Sequence, residues 1–246
     1  MVFSVQKEAN FMKAVKKYID KYGTDVFFAV IKPKSKTAIV PKAMLLENVK
    51  GADIEEYQKE VEKSVKKHAL LYNKFKELPN IEALIYRYDV WGALTTISLS
   101  VHPRIKKRWG ITHELFGAFY NVDLSKPYNS LFHDLEPGSM GNVLFFKPEQ
   151  GSIILANPPY TIQWIQWTIQ KILGEWKDTA TFYVVLPIWD CKTRKELNLR
   201  YYECVYDIIE LINNAKEHNI INKFSFYDGI NNKEHFLKDP VHIIKI

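Results

Sequence analysis

The sequence predicts an α/β fold with a mostly helical N-terminal extension. From about residue 110, short apolar, β-branched runs alternate with amphipathic stretches, as in a largely parallel sheet whose strands are joined by helices. Before that point, apolar residues recur instead at spacings of three and four. One run, Gly151-Ser-Ile-Ile-Leu-Ala156, stops abruptly at Asn157-Pro158-Pro159-Tyr160, as a buried strand would at the edge of its sheet. The chain is expected to divide into a mostly helical region, 1–105, and an α/β region, 106–246.

Residues 5–21 read as a basic helix, and Phe27–Ile31 and Thr37–Val40 as candidate strands around a Lys/Pro turn. A long helix is expected over 53–78, with Ile54, Tyr57, Val61, Val65, Ala69, Tyr72 and Phe75 on one face. Its other face is Glu and Lys, with i,i+4 pairs such as Glu62–Lys66, and is most simply solvated. A second helix, about 81–100, carries Leu84, Tyr88, Trp91 and Leu94. Candidate strands follow at 113–119, 142–147, 151–156, 180–187, 222–227 and 241–246, with helices near 160–176 and 193–218. The last two strands flank the turn-rich Asp228-Gly229…Asn231-Asn232 loop and are expected to pair as an antiparallel edge. After the tetrapeptide, Ile162, Ile165, Ile169, Ile172 and Trp176 form one helical face, and Trp164, Trp167 and Lys171 the other. Either the N-terminal helices cover the two tryptophans, or Trp164 lines a ligand-binding cleft.

With 246 residues, 47% hydrophobic and 14% aromatic, the chain can bury a substantial core, which argues against disorder. Its net charge of +6, from 34 Lys+Arg against 28 Asp+Glu, is compatible with a polyanionic partner. Cys191 and Cys204 give neither zinc spacing nor a disulfide framework, so a reducing compartment is expected. The histidines do not cluster at ligand spacing, so no metal is expected. No Ser/His/Asp or Cys/His arrangement is visible. The Met1 end runs into charged residues, and no apolar stretch reaches about 18 residues, so an intracellular protein off the membrane is expected.

The tetrapeptide suits one chemistry. Ligands in open α/β sheets bind at the carboxyl edge of the strands. Methylating an exocyclic amine on a base requires that the amine be held in plane with its lone pair free. The Asn157 side-chain carbonyl can accept one N–H, and a proline backbone carbonyl, aimed by two consecutive prolines, can accept the other. The Tyr160 ring offers a stacking face worth about 1–3 kcal/mol. Positioning and electrostatics then carry the catalysis. An ordinary strand exit is the competing reading, since Asn-Pro and Pro-Pro mark turns anyway.

Four blocks occur in order: His113-Glu-Leu-Phe-Gly-Ala-Phe-Tyr-Asn121, Pro137-Gly-Ser-Met-Gly141, Gly151-Ser…Asn157-Pro-Pro-Tyr160 and Phe182-Tyr-Val-Val-Leu-Pro-Ile-Trp189. Together they resemble the catalytic domain of the phosphorylated-CTD-interacting-factor family, cap-specific adenosine-N6 methyltransferases, over about residues 81–190. The resemblance implies a Rossmann-like S-adenosylmethionine-dependent methyltransferase acting on the first transcribed adenosine of capped mRNA. It implies that Asn157, Pro158, Pro159 and Tyr160 are catalytic. Glu114, Phe116 and Asn121 match the family's Glu-x-Phe…Asn block and would bind the cofactor together with Gly117, Ser139 and Asn157. Small residues at Gly117 and Ala118 would let the backbone approach a ligand, and Gly138-Ser139 and Gly141 match a Gly-Ser-x-Gly turn. Trp189, in a Pro-x-Trp at a strand exit, would stack on a base or cap guanine. Trp164 and Arg87 are further substrate candidates, and the basic run Arg104, Lys106, Lys107, Arg108 could neutralise RNA phosphates or be a solvated turn.

The chain departs from that family at Thr161-Ile162-Gln163, where an acidic pair is usual, and at Tyr160, where Phe is usual. It has no WW module at its start, and the match after residue 190 is poor. Its compact, Lys/Ile/Asn-rich make-up suggests a viral or divergent-eukaryote member. Two other readings stand beside cap methylation: an adenine-N6 methyltransferase of DNA or internal RNA, and an inactive methyltransferase fold that holds RNA or scaffolds a partner.

Overall fold

The computed structural model describes residues 52–78, 81–90, 94, 99–130, 138–141, 143–160, 162–188, 201–237 and 239–246. The expected elements at 5–21, 27–31 and 37–40 lie outside the described residues. Among the described residues three helices come first: α1 (Ala52–Lys67), α2 (Ala69–Phe75) and α3 (Ile81–Val90). The helix expected over 53–78 is thus broken, because His68 leaves helical geometry at φ −113°, ψ 39°. There Ser64, Lys67 and His68 all bond the Asp89 carboxylate of α3, at 2.9, 2.6 and 2.9 Å. The helix expected over 81–100 ends at Val90, and strand β1 follows at Leu99–Val101. Then come α4 (Pro103–Trp109), β2 (His113–Gly117) and β3 (Tyr128–Ser130).

The expected strand at 142–147 is instead a 3-10 turn at Val143–Phe145. It buries Val143 and Leu144 and exposes Phe145, a three-residue pattern that a strand's alternation does not produce. Next are β4 (Ile153–Ala156), α5 (Ile162–Leu173), β5 (Thr181–Pro187) and α6 (Tyr201–Asn213). Strands β6 (Glu217–Ile221), β7 (Ser225–Asp228), β8 (Lys233–Phe236) and β9 (Val241–Lys245) complete the chain. The helix expected to reach 218 therefore stops at Asn213, and its last residues pass into β6.

Six strands form a mixed sheet in the order β3-β2-β4-β5-β9-β6. The first four are parallel, while β9 runs antiparallel to both β5 and β6. Side chains alternate across this sheet as the pleat demands. Ile154 and Ala156 of β4, with Phe182, Val184 and Leu186 of β5, face a core shared with Leu71 of α2, Leu84 and Tyr88 of α3, and Trp164, Ile165, Ile169 and Ile172 of α5. Leu155 and Val185 face the other side, against Val101, Ile111, Phe224 and Phe226. A separate antiparallel sheet, β1-β7-β8, covers that second side. The expected pairing of 222–227 with 241–246 is therefore replaced. Strand β7 pairs with β8 through the Asp228–Asn232 turn and with β1 far back in the chain, while β9 joins the large sheet. No helix among the described residues is long and apolar enough to cross a membrane.

Candidate active site

From β2 the chain moves to β3 on one side, and the next sheet strand, β4, lies on the other side of β2. A crevice opens at the carboxyl ends of strands where the order reverses in this way. Strands β2 and β4 are parallel, with Glu114 level with Leu155, so Ala118–Asn121 and Asn157–Tyr160 leave the same edge side by side. Topology thus brings together two blocks some forty residues apart in sequence.

Each block is held by its own side chains. Asn121 Oδ1 accepts the Ala118 N–H at 2.9 Å, folding the loop after β2 onto itself. Gly117 leaves no room for a side chain, since a Cβ there would lie 2.4 Å from Val122 Cγ1 and 2.7 Å from Tyr128 Cδ2. Phe116 packs edge-on against Trp164 and Trp167, at 5.6 and 6.3 Å between ring centres. The 138–141 segment runs beside β3: Met140 N–H donates to the Tyr128 carbonyl, and Ser130 N–H to the Gly141 carbonyl. Ser139 Oγ, buried, accepts the Gly141 N–H at 3.0 Å, and Gly138 and Gly141 supply the positive φ values of 91° and 104° that the turn needs.

Asn157 is fixed at both ends of its amide. Its Nδ2 donates to the Leu99 carbonyl of β1 at 3.3 Å. Its Oδ1 accepts the Tyr160 hydroxyl at 3.1 Å. A backbone carbonyl can only accept, so the NH2 end of the amide must face Leu99, which leaves the oxygen facing Tyr160. Burial pushes the Tyr160 phenol above its ordinary value, so the hydroxyl keeps its proton and remains a donor.

Other residues named from the sequence fall elsewhere. Glu114, near the start of β2, turns to the second side of the sheet. Its carboxylate accepts the Ser100 hydroxyl at 2.7 Å and pairs with Lys106 Nζ at 2.7 Å, with both side chains about nine-tenths buried. Lys106 is therefore an internal partner of Glu114, while Arg104, Lys107 and Arg108 of the same helix are exposed. Trp109 stacks on Tyr183 with ring centres 4.7 Å apart and is part of the packing. A cavity of about 330 Å3 beside α4 takes Lys106, Lys107, Lys126, Glu114 and Asp123 into its lining, near the first residues of β2 and β3. Trp164 is core, 6% exposed and edge-on to Trp167, so the N-terminal and sheet residues around it leave no cleft on that ring. Trp189 and the Arg87 side chain lie outside the described residues. Two neighbours of the site were missed in the sequence: the Leu99 carbonyl, which is backbone, and Gly229, read only as a turn residue, whose Cα packs on the Tyr120 carbonyl so tightly that a Cβ would lie 1.6 Å from that oxygen. Among the described residues, no group of three or more His, Cys, Asp or Glu is placed to hold a metal ion.

A six-stranded mixed sheet with a small antiparallel sheet beside it, carrying Asn157-Pro158-Pro159-Tyr160 at the carboxyl edge where the strand order reverses, makes this a mixed α/β protein. A protein-family comparison makes this specific. The family described as Phosphorylated CTD interacting factor 1 WW domain matches residues 50–223, and the chain belongs to that family, one of cap-specific adenosine methyltransferases. A search of curated proteins found no match.

Proposed function

We propose that the chain is an S-adenosylmethionine-dependent adenine-N6 methyltransferase acting on RNA, at the adenosine next to the mRNA cap. The orientation of Asn157 carries this reading: Leu99 holds its NH2 end, so the carbonyl oxygen is presented at the carboxyl edge of β4 as an acceptor for an amine proton. The Pro158 carbonyl accepts the second amine proton, and the Tyr160 ring stacks the base. With both N–H groups held in the base plane, the nitrogen lone pair is left to point out of it. The loop at Gly117, Ala118 and Asn121, with the turn at Ser139, is the part of this edge that we assign to a nucleoside cofactor. Asn121 folds this loop by accepting the Ala118 N–H, and Gly117 lets it lie close against Val122 and Tyr128. S-adenosylmethionine, when bound there, supplies a methyl group on a sulfonium centre. Arg104, Lys107 and Arg108 offer exposed charge for phosphates, and the overall +6 favours a polyanion. Family membership supports the cap-adjacent adenosine as the substrate of this reading, and an intracellular site of action accords with it.

The test incubates the full chain with labelled S-adenosylmethionine and matched short RNAs, capped and uncapped, beginning with adenosine or 2′-O-methyladenosine. Label confined to capped RNA and recovered as N6-methylated adenosine is the expected result. Label on uncapped RNA or on DNA would move the substrate class. No label, with no cofactor binding by calorimetry, would leave a methyltransferase fold used as a scaffold.

A further inference from the structure

Tyr160 differs from the family's usual Phe by one hydroxyl, and that hydroxyl sits on the acceptor needed by the target amine. Resting on the adenine-methylation reading above, we propose that the Tyr160 hydroxyl is a stand-in for the substrate amine, holding Asn157 Oδ1 in its accepting orientation until a base replaces it.

The geometry separates two states. A phenol O–H prefers to lie near the plane of its ring, so its 3.1 Å bond to Asn157 Oδ1 favours an oxygen near that plane. A base stacked on the Tyr160 ring lies about 3.5 Å away from the plane, at the contact distance of carbon atoms. An adenine amine donates in the plane of its own base, so it needs the Asn157 oxygen near that second plane. One oxygen does not serve both planes without a turn of the Asn157 amide or the Tyr160 ring. The bond present without a base is therefore broken as the base enters. The exchange replaces one neutral donor with another on the same oxygen, while the Leu99 carbonyl keeps the far end of the amide in place. The half-buried acceptor thus keeps a donor before substrate arrives. A base bearing no N–H at that position has nothing to offer in return. In this arrangement Tyr160 has two separable parts, a ring that stacks and a hydroxyl that competes.

Tyr160→Phe in the full chain tests the hydroxyl alone. The probe is a capped RNA oligonucleotide beginning with 2′-O-methyladenosine, with binding measured in S-adenosylhomocysteine and transfer in S-adenosylmethionine. Losing one competing neutral hydrogen bond is expected to tighten Kd and lower RNA KM by about two- to tenfold. Misfolding does not produce tighter binding. Tyr160→Leu, which also removes the ring, is expected to weaken the same binding by tenfold or more, in line with the roughly 1–3 kcal/mol of a stacked base. Unchanged or weaker RNA binding by Tyr160→Phe, beside normal transfer by the unaltered chain, overturns the stand-in role alone. Absence of transfer by the unaltered chain to any adenine substrate overturns the functional reading, and this proposal with it.

Discussion

A single amide decides how the tetrapeptide works. Asn157 and Asp differ by little in shape, but the Leu99 carbonyl distinguishes them, because it accepts and never donates. An aspartate there would set a charged oxygen against that carbonyl, which favours the protonated carboxyl group. Only the protonated form reproduces the native pattern, with O–H donating to Leu99 and C=O facing the amine. Asn157→Asp is therefore expected to be nearly inactive at pH 8.5 and to recover relative to the unaltered chain as pH falls to 6. Ratios of initial transfer rates across that range check it, and a pH-independent ratio would mean that Leu99 does not set the orientation. The Asn, the prolines and the aromatic were legible in the sequence because their chemistry lies in side chains and fixed backbone. Leu99 was illegible because its contribution is a carbonyl that every residue type carries.

Elements were legible where burial imposed a pattern. Strands β4 and β5 announce themselves through apolar, β-branched runs that stop at prolines, Pro158 after β4 and Pro187 at the end of β5, since both faces are covered. Strand β6 is exposed at every residue, so Glu217-His-Asn carries no alternation and reads as the tail of a helix. Strand β3 is Tyr-Asn-Ser, buried yet polar, and Asn129 bonds His113 and the Gly141 carbonyl, partners that the sequence alone does not reveal. Two polar contacts between elements carry testable energy. Glu114 and Lys106 tie α4 to β2, and removing one partner strands a buried charge. Glu114→Ala is expected to lose about 3–5 kcal/mol in urea melts, and the double variant Glu114→Leu, Lys106→Met to regain most of it. Cofactor affinity retained in that double variant would assign Glu114 to this tie; affinity lost despite regained stability would return it to the cofactor. At the α1–α3 contact, burial pushes the Asp89 carboxyl up, but hydrogen bonds from Lys67, His68 and Ser64 outweigh that and hold it below the ordinary 3.8. A lowered folded-state value stabilises above the unfolded one and is lost as pH falls through it. Asp89→Asn is thus expected to cost about 1–2 kcal/mol at pH 7. The difference from the unaltered chain should shrink as pH falls below 3.8, measured by denaturant unfolding.

Across the whole molecule, the three-stranded sheet links the two halves of the candidate site. Its first strand comes from residues 99–101 and its hairpin from 225–236, so it joins the sequence before the large sheet to the sequence near the end of the chain. Through Leu99 it holds Asn157. Through the Gly229 turn it sits on Tyr120 and Asn121, in the loop after β2. Asp228 shapes that turn by accepting the Ile230 and Asn231 N–H groups, and Lys74 of α2 grips it by donating to the Gly229 carbonyl and Asn232, each at 2.5 Å. A Cβ at Gly229 would meet the Tyr120 carbonyl at 1.6 Å, and a backbone atom has no rotamer by which to yield. Either the hairpin or the 118–121 loop must move. Gly229→Ala is therefore expected to destabilise the chain by about 1–3 kcal/mol. It is also expected to weaken S-adenosylhomocysteine binding by about ten- to hundredfold, because the loop it displaces borders the crevice. Lys74→Met, which loosens the same turn without inserting an atom, should lower stability with a smaller effect on affinity. Calorimetric binding beside thermal melts separates the two: Gly229→Ala with lowered Tm and unchanged affinity would make the small sheet a cover for the large one, whereas loss of affinity beyond that of Lys74→Met, at matched loss of Tm, would show that it positions the cofactor loop.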